Sequence, residues 1–184
     1  QLMVNLFKKV KKSTFRSINI PKFDKSIDDR CKKNSWFKLK KKPDILILEG
    51  WCVGARAEGS RSLNRPINVL EKNADKKKIW RSYVNNQLKS KYSKLFDQLD
   101  SLLYLKAKNF KLLKRWRLKQ EKKLKMKSGT KKNSKIMNEK EVETFMMTYQ
   151  RITQNMFKNT PKYSSAVIDL NENHQIKKVK FKNA

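Results

Sequence analysis

The stretch Pro43–Arg56, Pro-Asp-Ile-Leu-Ile-Leu-Glu-Gly-Trp-Cys-Val-Gly-Ala-Arg, decides how the chain is read. Four consecutive aliphatic residues, Ile45 to Leu48, follow a proline and run into Glu49-Gly50. A continuous apolar run between breakers predicts a strand buried on both faces, as the strands of parallel sheets are. Glu49 then emerges at the carboxyl end of that strand, where open α/β sheets bind their ligands, and Gly50 lets the chain turn. A carboxylate there can order the water shell of Mg²⁺ or accept the proton of a substrate hydroxyl. The plainer alternative is a buried strand that stops in a polar turn.

Working outward, residues 79–99 carry Trp80, Tyr83, Val84, Leu88, Tyr92, Leu95, Phe96 and Leu99 at helical spacing, and Ser101–Leu105 reads as a second buried strand. Strand, helix and strand together predict a βαβ unit and hence a parallel sheet. Asn109 is placed to cap a further helix running to about Lys127, and residues 128–134 read as a flexible basic loop. Asn138 with Glu141 has the spacing of a capping box, opening a helix that Pro161 stops. Ser165–Leu170 is expected as a third strand and Gln175–Phe181 as a lysine-studded edge strand. Before the central stretch, residues 2–12 predict an amphipathic helix, Ser17–Pro21 a short β segment, Pro21–Arg30 a polar loop and Cys31–Lys42 a solvated basic connector. Ala57–Asn68 reads as loop. The expected organisation is one α/β domain: 1–42 helix and substrate-side loop, 43–108 strand-helix-strand core, 109–135 lid-like helix and basic loop, 136–184 terminal helix and strand.

Composition narrows the classes. With 38% hydrophobic residues over 184 positions the chain can build a core, and no apolar run approaches the ~20 residues of a membrane-spanning helix. Cys31 and Cys52 form no CxxC pair and read as reduced thiols, which suits the cytoplasm. A single histidine, His174, excludes His-based triads and zinc clusters. The net charge of +31 invites a nucleic-acid reading. Of the 47 basic residues, however, only nine are arginines, the bidentate readers of phosphate. The lysines spread over nearly every surface segment, a pattern closer to compositional bias than to a binding stripe, so only nonspecific nucleic-acid contact is expected.

What remains is carboxylates and arginines, the vocabulary of phosphoryl transfer. Arg115 and Arg117 lie on the helix after the second strand, two residues and so about 200° apart. One of them can reach over the phosphates of a nucleotide; a solvated basic face is the plainer reading. Arg81 and Asn85 share a face where the long helix begins, near an end suited to anions.

Three blocks then occur in order: Pro21-Lys22-Phe23-Asp24-Lys25-Ser26, Ile47-Leu48-Glu49-Gly50-Trp51 and Arg115-Trp116-Arg117-Leu118-Lys119-Gln120-Glu121. With the helix holding Glu141, Val142 and Tyr149 and the terminal strand, they resemble the glycerate-kinase-like branch of P-loop small-molecule kinases, related to uridine, pantothenate and phosphoribulose kinases. The resemblance implies an α/β parallel-sheet P-loop NTPase-type fold that transfers the γ-phosphoryl of ATP, with Mg²⁺, to a hydroxyl of a small metabolite, glycerate-like or nucleoside-like. It implies Glu49 as the acid near Mg²⁺ and the attacking hydroxyl, with Asp24 the rival catalytic base. It further places Asp24 and Lys25 at the acceptor pocket, Arg115 and Arg117 on a lid helix over the ATP phosphates, and Arg56 and Asn85 on the substrate side. One departure stands out. The loop G-x-x-x-x-G-K-[ST] is absent; the four glycines, at 50, 54, 59 and 129, do not form it. The expectation is therefore a chain truncated at its N-terminus, lacking the loop's backbone amides and lysine and inactive alone. The alternatives are a Lys-rich nucleic-acid-binding module or a noncatalytic kinase relative.

Overall fold

The computed structural model describes residues 2–24, 29–128 and 136–182. In chain order the elements begin with α1 (Leu2–Lys11), β1 (Ile18–Ile20), β2 (Phe23–Asp24), β3 (Asp29–Arg30) and β4 (Phe37–Leu39). There follow α2 (Val69–Ala74), α3 (Ile79–Gln87), a π-helical turn (Leu88–Tyr92) and α4 (Ser93–Phe96). The chain continues through β5 (Leu103–Lys106), α5 (Phe110–Ser128), α6 (Glu139–Asn159), β6 (Ala166–Leu170) and β7 (Ile176–Phe181).

The main sheet has the order β5-β6-β7. β5 and β6 are parallel, with Leu103 opposite Ala166, and α5 and α6 form the crossover between them. β7 returns antiparallel and is exposed along its length, with Lys177, Lys178 and Lys180 blunting the edge. The helix ends follow their local chemistry. The Asn109 side chain accepts from the Leu112 amide at 2.9 Å, and Asn138 and Glu141 form the reciprocal capping box that opens α6. α6 buries Val142 and Met146 almost completely. Leu6, Val10 and Ile18 make a second small core with Phe15 and Ile20, joining α1 to the β1–β4 ribbon.

Four expectations need correction. Ile45–Leu48 is extended but belongs to no sheet, and Ile45 and Ile47 are 78% and 83% exposed. The apolar run has the composition of a buried strand, but a strand exists only where neighbours take up its amides and carbonyls. The parallel βαβ unit consequently runs from β5 to β6 rather than from residue 45 to residue 105. Residues 21–30 contain a hairpin ribbon, with Phe23 opposite Arg30 and Asp24 opposite Asp29. The basic connector holds β4, which pairs antiparallel with β1, and the supposed loop after Ala57 contains a 3₁₀ turn over Ser60–Asn64. The long helix is interrupted by a π turn, where the Ser90 and Ser93 hydroxyls donate to the carbonyls of Asn86 and Lys89. The basic loop expected at 128–134 falls almost wholly outside the described residues.

Arg151 of α6 ties the 58–71 segment down. Its Nε and Nη2 donate to both carboxylate oxygens of Glu71, at 2.8 and 2.6 Å. Its Nη1 reaches Glu58 and the Ser62 carbonyl, and Nη2 also reaches the Arg65 carbonyl. Alongside, Arg81 donates to Asp75 and to the carbonyls of Leu63 and Asp75. Burial pushes the Glu71 carboxyl upward, but the Arg151 hydrogen bonds, the Ile67 amide and the nearby cations outweigh it and hold Glu71 below its ordinary value. Asp75 is likewise lowered, its burial outweighed by the Trp80 and Arg81 amides and the Arg81 charge. Carboxyls depressed in the folded state stabilise it above the ordinary carboxylate range, and that stabilisation disappears as pH falls through the depressed values. The urea midpoint is therefore expected to hold from neutrality to about pH 5 and to drop once pH passes below about 4. Denaturation curves stepped through that interval test it.

Candidate active site

Glu49 leads into a tight turn at Trp51–Gly54, which is pinned from three sides. The Tyr163 hydroxyl donates to the Gly54 carbonyl at 2.9 Å. Gly54 has φ +79°, and a Cβ there would lie 2.7 Å from the Leu102 side chain, so both conformation and space require glycine. Trp51 packs its ring against Tyr149 and Phe145 of α6, at centroid distances of 4.8 and 6.0 Å. Just beyond, Cys52, Ala55 and Ala57 join Leu88, Tyr104, Ile152 and Met156 in an apolar cluster. Burial pushes the Cys52 thiol up to about 11, which leaves it an inert packing residue.

Opposite Trp51 lies α5. Trp116 is held by its indole N–H, which donates to the Glu172 carbonyl at 2.9 Å, and its ring stacks on His174 at 4.1 Å. His174 sits in the β6–β7 turn with φ +65°, a turn that Asn171 closes by accepting from the Asn173 and Gln175 amides. Between Trp51 and the Trp116–His174 stack runs an open cleft of about 530 Å³, flanked by Arg117, Lys119 and Lys123. Aromatic faces and cations in one cleft suit a planar, anionic ligand.

The expected site residues divide. Arg117 lies at the cleft, where it pairs with Glu121, donates to Gln120 at 3.0 Å and sits over the Phe145 ring. Arg115 points away and pairs with Glu172 at 2.9 Å, as the 200° separation requires. Glu49, two residues before Trp51, is exposed at the rim of a separate groove and has no hydrogen-bond or ion-pair partner among the described residues. Arg56 stacks its guanidinium on Tyr163 at 3.7 Å. Asn85 accepts from the Glu58 amide at 2.8 Å and donates to the Glu58 carbonyl at 3.1 Å, clipping that loop to α3. Asp24 lies in the β2–β3 ribbon, and Lys25 lies outside the described residues. Trp51, Trp116 and His174 had no role assigned from sequence. The two tryptophans sit inside the quoted blocks, the signal that could have found them; His174 reaches the cleft only through the turn.

No family model matches the chain. It is 32% identical over 144 residues to a Schizosaccharomyces pombe protein described as an uncharacterized kinase, mug58, a match covering 75% of this chain and 49% of that protein. The chain thus spans about half the length of that curated relative. The fold is shared with D-glycerate 3-kinase from Cryptococcus neoformans, at TM-score 0.73 and 21% identity over 98% of this chain and 65% of that one. It is shared also with the YGR205w protein, at TM-score 0.68 and 25% identity over 97% of this chain and 62% of that one. Sequence and fold together make the chain a relative of the glycerate-kinase-like branch of small-molecule kinases.

Proposed function

We propose that the complete protein transfers the γ-phosphoryl group of ATP to a hydroxyl of a small metabolite, a hydroxy acid such as glycerate or a nucleoside-like acceptor. The observation that carries this is the cleft between Trp51 and the Trp116–His174 stack, edged by cations and reached directly from the Glu49 turn. An adenine ring fits the aromatic walls, and Arg117, Lys119 and Lys123 offer charge to its phosphates. Arg115, salt-bridged to Glu172, serves this reading as an anchor of the lid-like helix.

Among the described residues no group of three or more His, Cys, Asp or Glu side chains is placed to hold a metal ion. A single exposed carboxylate, Glu49, still fits Mg²⁺, an ion carried largely by nucleotide phosphates and water with one or two protein carboxylates. When bound, Mg²⁺ would neutralise charge developing on the phosphates. Glu49 itself would orient the acceptor hydroxyl and take its proton, with Asp24 the second candidate for that role and Lys25, Arg56 and Asn85 on the acceptor side. The backbone cradle for the β- and γ-phosphates would come from chain beyond these residues, so the 184-residue chain alone is expected to be inactive. The test is ATP consumption by the complete protein across a panel of hydroxy acids and nucleosides; no turnover with any acceptor would sink the reading.

The +31 charge supports a further expectation. Because the cations are spread widely, binding of the chain to RNA or DNA should be tight at 50 mM salt and fall by about 10³-fold or more by 200 mM. Fluorescence anisotropy in a salt series measures this, and affinity surviving physiological salt would favour a nucleic-acid-binding role instead.

A further inference from the structure

The extended segment Ile45–Leu48 and strand β5 stand on opposite sides of one groove of about 960 Å³, with Met156 and Ile168 also lining it. Neither wall has a backbone partner on the groove side. The segment belongs to no sheet, and β5 is the end strand of its own, paired only to β6. The side chains are those of a core. Ile45, Ile47, Leu103 and Leu105 are between 62% and 83% exposed, although each is large and aliphatic. On β5, Leu105 shares a sheet face with Ile168 and Val179, so the bare surface continues across the neighbouring strands. The whole chain exposes 14593 Å², against about 9,300 Å² expected for a compact monomer of its mass. Excess of that size, in one apolar groove with unsatisfied backbone on both walls, describes a fold with a piece left out.

We propose that this groove receives a single apolar β-strand from a part of the protein outside these 184 residues, hydrogen-bonded on one edge to Ile45–Leu48 and on the other to β5. A strand fits where a helix does not. Both walls present main-chain donors and acceptors, and only an extended chain between them satisfies both. Two strands flanking a third stand about 9.6 Å apart, a gap one backbone fills. The source is supported by the comparisons, since nearly all of this chain aligns to only 65% and 62% of the two solved relatives, whose remaining length has no counterpart here. The strand would turn Ile45–Leu48 into the buried sheet member its composition describes. The proposal concerns pairing and stands apart from phosphoryl transfer.

Amide hydrogen exchange tests it, comparing the 184-residue chain with the protein expressed from its entire reading frame. Amides in Ile45–Leu48 and Leu103–Leu105 are expected to exchange rapidly in the short chain. In the longer protein they should be slowed by about a hundredfold or more, independently of concentration. Ile47→Lys supplies a second readout: with its side chain largely in solvent, it should leave the melting of the short chain unchanged and remove the protection at Leu103–Leu105 in the longer protein. Rapid exchange in the longer protein overturns the proposal, as does a reading frame that adds no further chain. Protection that grows with concentration in the short chain also overturns it, assigning the groove to a second copy.

Discussion

Replacing Arg151 by methionine is expected to cost about 3–5 kcal/mol, the scale seen when one partner of a buried ion pair is removed. Arg151 is 8% exposed and Glu71 9%, and the guanidinium supplies both hydrogen bonds to the Glu71 carboxylate seen from α6. Methionine fills similar volume, so the loss is chiefly electrostatic. Glu71 would keep its charge in a half-dry site, and the Ser62 and Arg65 carbonyls would lose their donor. A domain of this kind holds only about 5–15 kcal/mol in total, so the variant should lie near the edge of folding. Adding Glu71→Gln should recover part of the loss, because an amide is far cheaper to bury than an uncompensated carboxylate. Urea midpoints followed by tryptophan fluorescence measure both. A cost below about 1 kcal/mol would place the pair among solvated ion pairs of little worth. The acid sensitivity described for Glu71 should also weaken in Arg151→Met, since the cation that lowers its pKa is gone.

The second large effect concerns chemistry. In the complete protein, Glu49→Gln is expected to lower turnover by about 10²–10⁴-fold, the usual contribution of a positioned general base. Stability should move by less than about 0.5 kcal/mol, because the Glu49 side chain is exposed and packs against nothing that its charge secures. That contrast separates a reacting group from a structural one. Asp24→Asn is the companion variant, and whichever of the two falls further, with the acceptor KM little changed, identifies the base. Turnover retained in both would remove them from the mechanism while leaving the kinase kinship intact.

Local signals in the chain were dependable. Apolar residues at 3.6 spacing located α1, the 79–96 helix and α6, and Asn138 with Glu141 marked the start of α6 because a cap is a contact between near neighbours. β5, β6 and β7 were readable from short apolar or alternating runs between turns. The three ordered blocks were enough to point to the kinase relatives. The candidate site was legible only in part. Trp51 and Trp116 lie within those blocks, yet nothing local says that one stacks on α6, that the other stacks on a histidine 58 positions later, or that a cleft opens between them.

The sequence by itself determined the helices, their caps, the strand-forming runs and the kinship, because propensity, periodicity and capping act between residues a few positions apart. Only the tertiary structure decided which runs are strands, which charges are buried and which arginine faces the cleft. Ile45–Leu48 shows the reason most directly: apolar composition makes a segment able to be a strand, but hydrogen bonds to a neighbour make it one, and here that neighbour is missing. Arg151 and Glu71 show the same dependence in charge, since 80 positions separate two residues whose environment exists only once α6 lies against the loop it secures.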